Sequence, residues 1–62
     1  MPTVVMYFRE GRTLDQKRAL VRGITDLVVQ TLDVKRERVV VHLVEQKVEN
    51  YAVGGVLRVD EA

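Results

Sequence analysis

The sequence predicts an α/β (α+β) fold: a single β-α-β unit followed by a short C-terminal β-hairpin. Three observations predict it. Thr3–Phe8 is a β-branched and aromatic run, Leu14 to about Leu32 carries a helical apolar pattern, and Val39–Val44 is an almost continuous apolar run. No repeat or linker interrupts the chain, so residues 1–62 read as one domain.

Alternation along Thr3–Phe8 places Val4, Met6 and Phe8 on one strand face and Thr3, Val5 and Tyr7 on the other. Arg9-Glu10-Gly11-Arg12 ends the run. Thr13 has the marks of a helix N-cap: Gln16 three residues on completes a capping box, and Asp15 sits where the helix dipole favours an anion. Leu20, Ile24, Leu27, Val28 and Thr31 recur at helical spacing, leaving Lys17, Arg18, Arg22, Asp26 and Gln30 to the solvent side. Gly23 costs about 1 kcal/mol against Ala in mid-helix and marks close packing on the sheet. Asp33–Arg38 is a polar connection. Val39–Val44 then reads as a strand buried on both faces, as parallel strands are. Strand, helix and strand make one right-handed crossover unit. Tyr51–Val56 reads as a short strand or hairpin arm, with Gly54 and Gly55 supplying the turn.

Size and composition point to self-association. The chain has 62 residues, is 47% apolar and 31% charged, and contains no cysteine. Domains below about 70–80 residues usually need disulfides, a metal or a partner subunit. Without cysteine there is no disulfide, thiolate zinc site, iron–sulfur cluster or Cys nucleophile, and the single His42 is too little for a His-rich metal site. One helix covers only one face of a two-stranded sheet, so the other face and both edges are expected to be covered by copies of the chain. A net charge of +1 gives no broad basic field for nucleic acid. No apolar run approaches the about 18 residues that span a bilayer, and the N-terminus lacks the features of a secretion signal. The expectation is a cytoplasmic oligomer that engages neither nucleic acid nor membrane.

The common catalytic constellations are absent: no Ser–His–Asp set, no HExxH, no phosphate loop. Glu10, Glu37, Glu45, Glu49, Asp60 and Glu61 show no spacing that gathers two carboxylates at one centre. His42, among Val and Leu, reads as a core or interface residue. Pro2 is the exception. Met before a small residue is normally removed, which would leave proline as a terminal secondary amine. An α-amino group titrates near about 8; a prolyl amine is more basic, and nearby arginines and an apolar pocket would bring it toward neutrality.

Met-Pro, a short strand, Glu10-Gly11-Arg12-Thr13 and Asp15-Gln16-Lys17 leading into a helix together resemble the 4-oxalocrotonate tautomerase family. The second half agrees, with a Val-rich strand ending in Glu45 and then Tyr51-Ala52-Val53-Gly54-Gly55. The resemblance covers essentially the whole chain. It implies the tautomerase fold assembled as a hexamer, a trimer of dimers, working without a cofactor or metal on a small carboxylate substrate. It implies Pro2 as the general base, Arg12 as the binder of a substrate carboxylate and Tyr51 as an aromatic wall. The family's strand arginine, which stabilises enolate charge, falls at Val40 here. Arg38 lies two residues earlier and, by strand parity, on the same face, where it is the candidate replacement; Arg36 is a weaker one. Arg9, three residues before Arg12, resembles the paired arginines of trans-3-chloroacrylic acid dehalogenase alpha subunits. That branch also uses a glutamate where Val53 stands, which disfavours dehalogenation.

The implied activity is keto–enol tautomerisation of 2-hydroxy-dienoates or enol-pyruvates, such as 2-hydroxymuconate or phenylenolpyruvate, at a pocket between subunits. The rival reading is a non-catalytic partner subunit of a mixed hexamer. A ribbon-helix-helix DNA-binding protein is more distant, since it needs a helix at Val39–Val44 and a more basic strand.

Overall fold

The computed structural model describes residues 2–61. Strand β1 (Thr3–Arg9) leads into helix α1 (Leu14–Leu32), and strand β2 (Val40–Gln46) returns parallel to β1. A separate two-stranded hairpin follows, β3 (Ala52–Val53) and β4 (Val56–Leu57). Three single 3-10 turns, Arg36–Arg38, Val48–Asn50 and Arg58–Asp60, punctuate the second half.

Helix α1 starts as its sequence dictates. The Thr13 hydroxyl accepts from the Gln16 N–H at 3.1 Å, and the Gln16 side chain accepts from the Thr13 N–H at 2.9 Å, so the capping box is closed. Asp33 ends the helix in the left-handed conformation (φ 55°), its N–H bonded to the Val29 carbonyl. Gly54 and Gly55 hold φ values of 61° and 83°, the successive left-handed residues that a tight hairpin turn requires.

The register Val4↔Val41, Met6↔Leu43 and Phe8↔Glu45 puts these residues on one sheet face. Helix α1 covers that face with a half-buried stripe of Lys17, Leu20, Val21, Ile24, Thr25, Val28 and Val29. Three helix expectations are corrected by this. Gly23 is exposed and nothing lies within 4 Å of where a Cβ would stand, so it marks no close packing on the sheet. Lys17 does not face solvent; its ammonium pairs with Glu45 on the covered face. Leu27 and Thr31 are exposed, because the stripe follows the 20/21–24/25–28/29 rows and leaves both beyond its edge. A further correction concerns β2, which starts at Val40 and runs to Gln46 rather than spanning Val39–Val44. Arg38 therefore closes a 3-10 turn and lies on no strand, so strand parity says nothing about its direction.

The opposite sheet face carries Thr3, Val5, Tyr7 and Arg9 from β1 beside Val40, His42, Val44 and Gln46 from β2. Among the described residues nothing covers Val5, Tyr7 and His42: Val5 is 48% and Tyr7 65% exposed, and His42 is exposed as well. Val39–Val44 is thus covered on one side only in the single chain. No described residue is fully buried. The radius of gyration is 14.9 Å, whereas a compact chain of this length would have about 10.5 Å. The accessible surface is 5063 Å², roughly 1,000 Å² above that of a compact monomer of this mass. That excess is of the order one partner contributes to a standard interface. Folding is accordingly expected to depend on association: in urea melts followed by circular dichroism, the midpoint should rise as the protein concentration is increased from about 1 to 100 μM. A concentration-independent midpoint would mean that the single chain is self-sufficient.

Candidate functional site

The parallel pairing sorts the candidate residues to two ends of the sheet. Pro2 lies at the start of β1, where its carbonyl accepts from the Val40 N–H at 3.0 Å. Arg9 lies at the other end of the same strand, opposite Gln46. At the rise of a β-strand the two ends are about 20 Å apart.

Arg38 belongs to the Pro2 end. The 3-10 turn that it closes precedes Val39, and Val40 is directly opposite Thr3. Its N–H donates to the Lys35 carbonyl at 2.9 Å, while its guanidinium has no ionic partner among the described residues. Its neighbour Arg36 is paired with Asp26 on the helix at 2.7 Å. The two arginines of one turn thus differ: Arg36 ties the turn to α1, and Arg38 remains available. Val40 itself carries no charge to this end.

Arg9, Arg12 and Tyr51 belong to the other end. A groove of about 470 Å³ opens there. Tyr7, Phe8 and Arg9 from β1 line it together with Gln46 and Lys47 at the exit of β2. Val48, Tyr51 and Arg58 close it from the C-terminal segment. Every charged residue of the lining is a cation. Arg12 does not line the groove; it follows Gly11, whose φ of 114° favours glycine, and directly precedes the helix cap Thr13. A cation at a helix N-terminus gains nothing from the dipole, and Arg12 has no ionic partner among the described residues. The groove draws on the C-terminal segment as well as on the β-α-β unit, and Pro2 is not among its lining residues.

The groove also contains residues that the sequence pattern does not single out. Tyr7 is legible as a position on the outward strand face, but Lys47 and Arg58 lie in segments without periodicity. Arg58 reaches the groove because the glycine turn folds β4 back: the Arg58 N–H donates to the Tyr51 carbonyl at 2.7 Å. No group of three or more metal-ligating side chains occurs among the described residues, and no described helix is long and apolar enough to cross a membrane.

This chain and its fold are similar to known proteins. Residues 2–60 fit the model of the tautomerase enzyme family. A probable tautomerase of Listeria monocytogenes is 47% identical over 60 residues, covering 97% of this chain and 98% of its own. The 2-hydroxymuconate tautomerase of Bacillus subtilis is 42% identical over 55 residues, 89% of each chain. Among solved structures, YwhB, a homologue of 4-oxalocrotonate tautomerase, superposes with a TM-score of 0.92 at 38% identity, covering 98% of this chain and 100% of that one. A heterohexameric 4-oxalocrotonate tautomerase from Chloroflexus aurantiacus gives 0.86 at 25% identity, with 97% of both chains covered. The chain belongs to the tautomerase family.

The expectation that Met1 is removed falls on a residue outside those described. The difference between the two turn arginines gives a direct check. Arg36→Ala should lower stability by about 0.5 kcal/mol, the scale of an exposed ion pair, and Arg38→Ala should leave the unfolding midpoint unchanged. A larger loss for Arg38→Ala in urea titration would make Arg38 a structural residue.

Proposed function

We propose that the protein is a cofactor-independent tautomerase, with Pro2 as the general base once Met1 is removed. Its substrates are small 2-hydroxy-dienoate or enol-pyruvate carboxylates. The neutral proline nitrogen takes the proton from the enol hydroxyl. As the carbonyl forms, electron density moves along the conjugated system and a proton is returned to a carbon further along it. Arg12 and Arg9 hold the carboxylate, and Tyr51 provides an apolar wall beside it. Arg38 supplies the positive charge at the Pro2 end that Val40 does not, and steadies the developing enolate.

The observation that carries this reading is the separation of Pro2 from Arg9 across the length of β1. A base and a carboxylate binder about 20 Å apart do not serve one small substrate within one chain. They do so where the Pro2 end of one copy meets the groove end of another. The exposed sheet face and the apolar hairpin, with Val53 at 61% and Val56 at 48% exposed, are the surfaces that such an assembly would cover. We take the assembly to be a homohexamer arranged as a trimer of dimers. The heterohexameric relative supports an assembly of six subunits, and a cytoplasmic location goes with the reading.

Intact-mass spectrometry of protein made in a host with methionine aminopeptidase should show loss of one Met. That protein should ketonise phenylenolpyruvate with a rate governed by one ionisation near neutrality. Pro2→Ala should be much slower, and Arg12→Ala should lose roughly 2–4 kcal/mol of transition-state binding in kcat/KM. Full activity with Met1 retained would exclude the mechanism, because the proline nitrogen would then be an amide without a basic lone pair. Retained Met1 with no turnover would identify a non-catalytic partner subunit.

A further inference from the structure

Lys17–Glu45 is the least exposed of the four ion pairs among the described residues, with side-chain accessibilities of 26% and 37%. It crosses from the first turn of α1 to the exit of β2. Between β1 and α1 runs the segment Glu10–Thr13, which carries Arg12, and both its ends are attached to neighbouring residues of β2. At one end the Glu10 N–H donates to the Gln46 carbonyl at 3.0 Å, just past the last paired residues of the sheet. At the other end the Lys17 N–H donates to the Thr13 carbonyl at 3.1 Å, and the Lys17 ammonium donates to a Glu45 carboxylate oxygen. Gly11 bends the chain between these anchors at a φ of 114°. Neither Gly11 nor Arg12 makes a hydrogen bond to another described residue, and Arg12 has no ionic partner among them. The place of Arg12 is therefore set by the anchors on either side.

The stripe of Leu20, Val21, Ile24 and Val28 holds α1 on the sheet by apolar contact. Such contact is non-directional and does not by itself fix how far the helix start reaches along the strands. A charge-assisted hydrogen bond fixes distance and direction together. A pair this accessible to water adds little to stability, so position is the larger part of what it supplies. We propose that Lys17 and Glu45 are positioning residues for Arg12: their ion pair sets the start of α1 against the exit of β2, and with it the place from which Arg12 meets a substrate carboxylate. The proposal rests on the reading of Arg12 as the carboxylate binder. Without the pair Arg12 is present but displaced, and misplacing a binding group by about 1 Å costs up to about 100-fold.

Calorimetric titration of the assembled protein with trans-cinnamate reads the site without turnover, since cinnamate has a carboxylate on a conjugated chain but no enol hydroxyl. Glu45→Gln keeps the shape and removes the charge, and should weaken cinnamate by about tenfold, as should Lys17→Met. Combining Lys17→Glu with Glu45→Lys restores the pair with its charges exchanged and should recover most of the affinity. In an Arg12→Ala background Glu45→Gln should change the affinity by less than about twofold, because the group it positions is gone. With phenylenolpyruvate, Glu45→Gln should raise KM and leave the pH dependence of kcat unchanged. Equal losses from Glu45→Gln with and without Arg12 would overturn the proposal and leave Arg12 as the binder. Loss of assembly by sedimentation in both Glu45→Gln and the exchanged protein would overturn it too, making the pair a requirement for folding. A cinnamate affinity that does not fall in Arg12→Ala, or a wild-type protein that binds no cinnamate, would remove the reading of Arg12 and the proposal with it. Arg12-dependent losses in a protein that ketonises nothing would sustain the positioning pair and remove the tautomerase mechanism.

Discussion

Parallel pairing of β1 with β2, Thr3 opposite Val40 and Arg9 opposite Gln46, is the constraint on which the rest of the structure depends. A parallel pair cannot be joined by a tight turn, so the chain must cross over through α1, and the helix then covers one sheet face only. The same pairing sends the two strand starts, with Pro2 and the Arg38 turn, to one end. Both strand exits, with Arg9, Gln46 and Lys47, go to the other. An anion held in the groove would therefore lie away from the nitrogen proposed to act as base in the same chain.

The energetics lead to the same architecture. With no fully buried residue among those described and a surface larger than a compact chain would have, the hydrophobic term that stabilises ordinary domains is unfinished in a single copy. Burial of Val5, Tyr7 and the hairpin valines by neighbouring copies would supply it, and the same contacts would bring unlike ends of two sheets together. In such an assembly, stability and site formation would follow from one set of contacts.

Much of the fold is legible in the sequence because its signals are local. Thr13 and Gln16 announce the helix start, strict alternation announces β1, and Gly54-Gly55 announces the hairpin turn. Local information fails where the question is tertiary. Lys17 reads as solvent-facing because it is a lysine, but its position in the helix turns it to the sheet, where Glu45 receives it. Counting residues back from Val40 puts Arg38 on a strand, although the 3-10 turn at Arg36–Arg38 breaks the count. Arg12 and Arg9 are recognisable through the family resemblance. Lys47 and Arg58 are not, since only the folding back of β4 onto Tyr51 brings Arg58 into the groove. Where the resemblance leads one to expect a strand arginine the chain has Val40, whose N–H bonds to the Pro2 carbonyl.

The central claim is that a working site joins Pro2 of one copy to the arginines of another, and subunit mixing tests it most directly. Pro2→Ala and Arg12→Ala proteins should each be strongly impaired alone. When equal amounts are denatured together and refolded into mixed oligomers, sites that draw an intact Pro2 and an intact Arg12 from different copies should reappear, restoring about one quarter of wild-type activity. A mixture no more active than the mean of its two impaired parents would contradict the account and place both residues in a site made by one chain.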